Sequence, residues 1–242
     1  MQTGENSVFR AGYLEFYHIV PLHYLPFVVQ RQKLLSKIAL LEQGFDLSHF
    51  RTSSKSIDME RGFANYIHAT LSSSAPILNS KLKKGFPHIQ LVFPTLSLGE
   101  NYSLCRFNIA RCRNTRTGKS GLKASDRNGQ YYDGLEIPIA KTGLEQRRFF
   151  DCLKLDPSNV EVLIESEFEL PSQMRIQCFA IEDVHLVRKI LNKFSLSFLT
   201  ELKKPAGTYP TNVAYRAEVK KFIDKALRNQ DWRGNGLEFD YL

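Results

Sequence analysis

Residues 159–171 read NVEVLIESEFELP, an apolar, strand-forming run that carries four carboxylates. Glu161, Glu165, Glu167 and Glu169 share one alternation parity, so an unbroken strand turns all four to the same face. Four carboxylates cannot all be buried together without strong coupling between them. The run therefore predicts a strand whose acidic face is mostly solvated. Glu161, at its start, is the candidate to face a pocket, with Glu165 in reserve should the register differ.

Downstream, residues 175–181, RIQCFAI, alternate as the next strand and form the expected hairpin partner of residues 160–168. Asp183 stands where a cap belongs for a helix with the apolar stripe Val187, Ile190, Leu191 and Phe194. A linker with Pro205, Gly207 and Pro210 precedes a last amphipathic helix, in which Tyr215, Val219, Phe222, Ile223 and Ala226 line one face.

Upstream, residues 12–20, GYLEFYHIV, are aromatic-rich and β-prone, and they stop at Pro21, which cannot extend a paired strand. Residues 22–32 follow with Leu22, Leu25, Val28 and Val29 at helical spacing, and Pro26 fits only a first turn. Residues 34–41 suit either strand or helix, 46–59 read as a serine-rich loop, and 66–71, YIHATL, read as a short strand or helix. A second β-region spans 86–98 and is interrupted at Pro94. Residues 106–132 carry seven basic side chains against Asp126 alone, with Gly118, Gly121 and Gly129, and predict a loop. Residues 144–153 predict a helix.

The chain has 242 residues with 43% hydrophobic content, enough for one domain with a single core. Residues 1–200 read as the main body, and 201–242 as a linker and helix packed on it. Lys and Arg number 33 against 25 Asp and Glu, a net charge of +8 that favours anionic partners such as nucleic acid or a nucleotide. Cys105, Cys112, Cys152 and Cys178 form neither a CxxC pair nor a zinc-like spacing, and read as reduced thiols. The first residues lack a signal-peptide pattern and no run is long enough to span a bilayer, so the expected location is cytoplasmic, with no membrane partner.

No GxSxG, Walker or dinucleotide-binding glycine motif is present. His88 and His185 stand apart from other metal-ligand types, and no metal is expected. The glutamates leave open a Mg²⁺-dependent nuclease. Neighbours on one strand face, about 7 Å apart, do not make a two-metal site by themselves.

Three segments in order carry a longer-range pattern: FYHIVPLHYLPFV around His18 and Tyr24, MERGFANYIHATLSSSAPIL with Arg61 and Tyr66, and VEVLIESEFELP opening on Glu161. They resemble the three motifs of the DarT-type DNA ADP-ribosyltransferases: a YHIT-like strand, a middle arginine with a DYVPFYFxPxSPM-like stretch, and a late AExLV strand bearing the catalytic glutamate. Departures include Val20 for threonine, Tyr24 for asparagine, Ser74-Ala75-Pro76-Ile77 in the middle motif and Val160 for alanine. The resemblance covers residues 13–194, with 106–132 poorly matched.

The resemblance implies an α+β, ADP-ribosyltransferase-like fold: two small, mainly antiparallel sheets around an NAD cleft, with flanking helices. It implies transfer of ADP-ribose from NAD to a base of single-stranded DNA, in a toxin or phage-defence setting, with an antitoxin or ADP-ribosyl hydrolase as partner. His18 and Tyr24 would contact NAD, Tyr66 would stack near the nicotinamide, Arg61 would meet phosphate or substrate, and Glu161 would bind the ribose hydroxyl and stabilise its developing positive charge.

In the basic segment, Arg111, Arg113, Arg116 and Lys119 would track a nucleic-acid backbone, with Tyr131 and Tyr132 stacking on bases. The plainer reading is a solvated loop. Other readings stay open: transfer to RNA or protein, the nuclease, and a non-catalytic nucleic-acid-binding protein.

Overall fold

The computed structural model describes residues 6–44, 59, 62–99, 101–105, 139–140, 160–204 and 209–228. Within them the strands run β1 (Glu15–Pro21), β2 (Lys33–Leu35), β3 (Tyr66–Thr70), β4 (His88–Pro94), β5 (Tyr102–Cys105), β6 (Ile139–Ala140), β7 (Glu161–Glu165), β8 (Glu167–Glu169), β9 (Arg175–Cys178) and β10 (Leu199–Leu202). The α-helices are α1 (Ser7–Arg10), α2 (Leu25–Arg31), α3 (Lys37–Glu42), α4 (Pro76–Lys83), α5 (Ile181–Lys193) and α6 (Val213–Arg228). The fold is α+β and mainly antiparallel, and β10 against β9 is a parallel pair.

Residues 159–171, read above as one strand, divide at Ser166. Its φ of +58° is left-handed, a conformation that a β-branched or bulky residue resists. The Ser166 N–H donates to the Asn65 carbonyl at 2.8 Å, and its own carbonyl accepts from the Ser36 N–H at 2.7 Å, so the kink is pinned on both sides. The chain thereby leaves one sheet and enters another: β7 lies between β3 and β5, whereas β8 pairs with β2 in a two-stranded ribbon. Phe168 of β8 ties the ribbon to the large sheet, its ring 5.1 Å from that of Phe93 and 5.6 Å from that of Phe16. Each such aromatic pair contributes about 0.5–1.5 kcal/mol beyond area burial.

The same kink explains why β9 is not the hairpin partner of residues 160–168. After the ribbon the chain returns on the far side, where β9 pairs with β4 and β10. The large sheet has the order β10-β9-β4-β1-β3-β7-β5-β6. Its middle is weak. β1 and β4 are matched from Glu15↔Pro94 to Pro21↔His88, and β3 and β7 from Tyr66↔Glu165 to Thr70↔Glu161, but β1 meets β3 through the single pair Tyr17↔Thr70. The sheet is thus two four-stranded halves that diverge at the β1–β3 seam, the form in which the expected two sheets occur.

Prolines set the ends as the sequence predicts. Pro21 closes β1, Pro94 closes β4, and Pro26 sits in the first turn of α2. Phe16, Val20, Ile89, Leu91, Phe93, Ile67, Val162 and Ile176 form one core with α2, α5 and α6. From α6, Tyr215, Val219, Ile223, Ala226 and Leu227 are buried, whereas Phe222 is half-buried and meets the edge of His23. Asp183 does not cap α5, whose N-cap is Ala180; it lies inside the first turn and accepts a two-pronged hydrogen bond from Arg216 of α6. No helix among the described residues is long and apolar enough to cross a membrane.

Candidate active site at the split of the sheet

The seam between β1 and β3 positions the site. Tyr17 holds the one cross-strand pair, and His18 follows it. The His18 Nδ1–H donates to the backbone carbonyl of His68 at 2.8 Å, so a side chain bridges the halves where backbone pairing has ended. Desolvation pushes the His18 ring down to about 4, an effect that the carbonyl contact opposes and the nearby His68 ring reinforces. His18 is therefore neutral at pH 7 with its proton on Nδ1, which leaves Nε2 as a hydrogen-bond acceptor.

His68 is the junction. Its Nδ1 lies 3.1 Å from Glu161 Oε1, and its Nε2 lies 3.1 Å from the Phe63 carbonyl oxygen. That carbonyl belongs to the 3-10 turn Phe63–Asn65, which Gly62 enters at φ +76°, a conformation that glycine adopts without strain. Glu161 opens β7 opposite Thr70 on one side and Cys105 on the other, and it is only 7% exposed. Glu165, Glu167 and Glu169 are exposed. One carboxylate of the four is thus withdrawn from water, beside a histidine that can carry a charge.

Alternation on β3 puts Tyr66, His68 and Thr70 on one face, which they share with Glu161 and Leu163 through the β3–β7 register. Tyr66 is partly buried, 6.4 Å from the Phe63 ring and packed on Leu163 and Cys105. His18 and Glu161 are therefore linked through His68, and Tyr66 lies on the same face of β3 as His68. Tyr24 is placed differently. It packs against Phe27 and Leu40, and burial pushes its hydroxyl well above the usual tyrosine range. Arg61, Arg111, Arg113, Arg116 and Lys119 lie outside the described residues, as do Cys112, Cys152 and the helix expected at 144–153.

Local sequence does not mark His68. The pattern that points to Tyr66 has proline in its place, and the register that sets His68 beside Glu161 joins residues 93 apart in the chain. The available signal is the imidazole in YIHATL, two residues from Tyr66. Among the described residues no three His, Cys, Asp or Glu side chains gather as a metal site, and Cys105 and Cys178 are buried.

No protein-family model matches the chain, and no curated protein matches it in sequence. Solved structures do match in fold. A Thermus sp. 2.9 DarT in complex with ADP-ribosylated ssDNA superposes with a TM-score of 0.53 at 12% identity, over 80% of this chain and 95% of that one. The same protein in complex with NAD+ gives 0.49 at 14% identity, over 79% and 96%. Thermosipho africanus DarTG in complex with ADP-ribose gives 0.47 at 13%, over 80% of this chain and 50% of that one. The split sheet, the helices packed on it and the near-complete coverage of the first of these identify the fold as that of the DarT-type ADP-ribosyltransferases.

Proposed function

We propose that this chain transfers ADP-ribose from NAD to a base of single-stranded DNA and releases nicotinamide. The observation that carries the reading is a buried carboxylate, Glu161, held by a histidine at the seam of a sheet whose fold is shared with a DarT bound to ADP-ribosylated ssDNA. In this reaction the bond from ribose C1′ to the nicotinamide nitrogen breaks, its electron pair leaving with the ring. A base nitrogen then bonds to C1′ and loses a proton.

The residues present suit that chemistry. Glu161 accepts a ribose hydroxyl and faces the positive charge that grows on the sugar, in a site where low solvent exposure strengthens the attraction. His18, neutral with Nε2 as an acceptor, accepts a hydrogen bond from a second hydroxyl. Tyr66 offers a ring face to the nicotinamide. Arg61 is the proposed phosphate contact, and Arg111, Arg113, Arg116 and Lys119 the proposed DNA backbone contacts. An antitoxin or ADP-ribosyl hydrolase remains the partner expected from the sequence resemblance. A base in a single strand is already unstacked enough to reach such a seam, which favours that substrate over a duplex.

The test is incubation of the purified protein with NAD and single-stranded oligonucleotides, followed by intact mass. One added ADP-ribose on the DNA, lost in Glu161→Gln, is expected. DNA unmodified with NAD intact overturns the reading. Modification of RNA or of protein instead moves the target within the same reaction, and metal-dependent DNA cleavage without NAD would favour a nuclease.

A further inference from the structure

We infer that His68 is the positioning residue of Glu161, acting as a doubly protonated imidazolium that fixes which carboxylate oxygen is presented to the substrate. The inference rests on the reading of Glu161 as the ribose-binding carboxylate. It comes from one geometric fact: both ring nitrogens of His68 face acceptors, the Phe63 carbonyl oxygen from Nε2 and Glu161 Oε1 from Nδ1, each at 3.1 Å.

A carbonyl oxygen cannot donate, so the Nε2 contact requires a proton on Nε2. A ring protonated there alone would turn the Nδ1 lone pair toward the lone pairs of an ionised Glu161, which is repulsive at 3.1 Å. A proton on Nδ1 converts the contact into a charge-assisted hydrogen bond and sets a counter-charge beside a carboxylate that is only 7% exposed. The Phe63 carbonyl holds the ring from behind and is itself fixed by the turn after Gly62, so the Nδ1–H points in one direction.

The arrangement then divides the labour of the carboxylate. His68 takes Oε1, and an ionised carboxylate has about four acceptor positions in all, so a ribose hydroxyl can be accepted at the same time. The backbone of His68 does further work, since its carbonyl receives the His18 Nδ1–H. One residue thereby sets both the tautomer of His18 and the orientation of Glu161. Two groups on strands from opposite halves of the sheet are held in fixed relation across a seam that backbone pairing hardly crosses.

Asparagine and glutamine separate this role from simple packing. The amide nitrogen of asparagine falls near the position of Nδ1, whereas that of glutamine falls near Nε2. His68→Asn keeps the donor to Glu161 and loses the anchor to Phe63; His68→Gln does the reverse.

The expected result is that His68→Gln and His68→Ala lower kcat about 10- to 100-fold with KM for NAD changed less than about threefold, while His68→Asn stays within about fivefold of wild type. In parallel, ¹⁵N-histidine NMR of the wild-type protein at pH 7 should show both His68 nitrogens protonated, and one alone in Glu161→Gln. Equal activity of His68→Asn and His68→Gln in folded protein, or a singly protonated His68 ring in wild type, overturns the inference while leaving the activity standing. A wild-type protein that neither consumes NAD nor modifies DNA overturns the functional reading, and the inference falls with it.

Discussion

The two halves of the sheet each set a basic side chain against carboxylates, under opposite conditions. In the half formed by β10, β9, β4 and β1, Arg175 bridges Glu15 and Glu201, with side-chain exposures of 29%, 35% and 32%. In the half formed by β3, β7, β5 and β6, His68 holds Glu161, at 20% and 8%. The arginine fork satisfies two carboxylates at once, shares them with water and ties three strands together. The histidine contacts one oxygen of a carboxylate taken out of water. An ion triad of the first kind stabilises a sheet modestly, because solvent competes for every charge. A dyad of the second kind is costly to build, and in the proposed reaction it sets a carboxylate of low exposure where positive charge develops on the sugar.

The sharpest way to break this comparison is to neutralise one glutamate from each half. Glu161→Gln should cut ADP-ribose transfer by about 10²–10³, the scale for removing one electrostatic contact to a developing charge. Glu201→Gln should leave transfer rates unchanged and cost about 0.5–1 kcal/mol of stability in denaturant melts. Similar losses of activity in both variants would dissolve the distinction. A larger stability effect is expected behind the first half, where Arg216 of α6 reaches Asp183, a carboxylate 1% exposed. Arg216→Ala strands that charge, and urea unfolding should show a loss of about 3–5 kcal/mol.

The acid side of the stability profile adds a smaller test. His88, 7% exposed at the start of β4, is pushed down to about 4 by burial, against the opposing pull of its hydrogen bond to the Phe86 carbonyl. The folded state then refuses a proton that the unfolded chain accepts below its ordinary value of about 6.5. Stability should therefore be full above that value and fall as pH drops from about 6.5 toward 4, by about 1–3 kcal/mol for this group. His88→Gln should flatten the slope of Tm against pH over that interval, and an unchanged slope would assign the acid sensitivity elsewhere.

How much of this was legible in the chain depends on how far apart the deciding residues lie. The end of β1 at Pro21, the start of α2 around Pro26 and the stripes Val187-Ile190-Leu191 and Tyr215-Val219-Ile223 follow from local chemistry, and the structure has them. The break at Ser166 does not, because alternation runs through ESEFE without a glycine or proline to mark the left-handed residue. With that break missed, β9 appears as a neighbour of β7, although its real partner β4 comes from about 85 residues earlier.

The site divides in the same way. Alternation alone puts all four glutamates on one face, and Glu161 stands apart from its three neighbours through its place in the motif that the chain resembles. The partnership with His68 was not legible, since it depends on the Thr70↔Glu161 register and on a turn at Gly62 that no periodicity announces.

The central claim is that the seam between the two halves is where NAD reacts, with Glu161 at the sugar. The most direct measurement is a crystal structure of the protein with a non-hydrolysable NAD analogue. The account predicts a hydroxyl of the nicotinamide-side ribose within about 3 Å of a Glu161 carboxylate oxygen, with His68 still on the other. An analogue bound elsewhere, with Glu161 and His68 untouched, would contradict it.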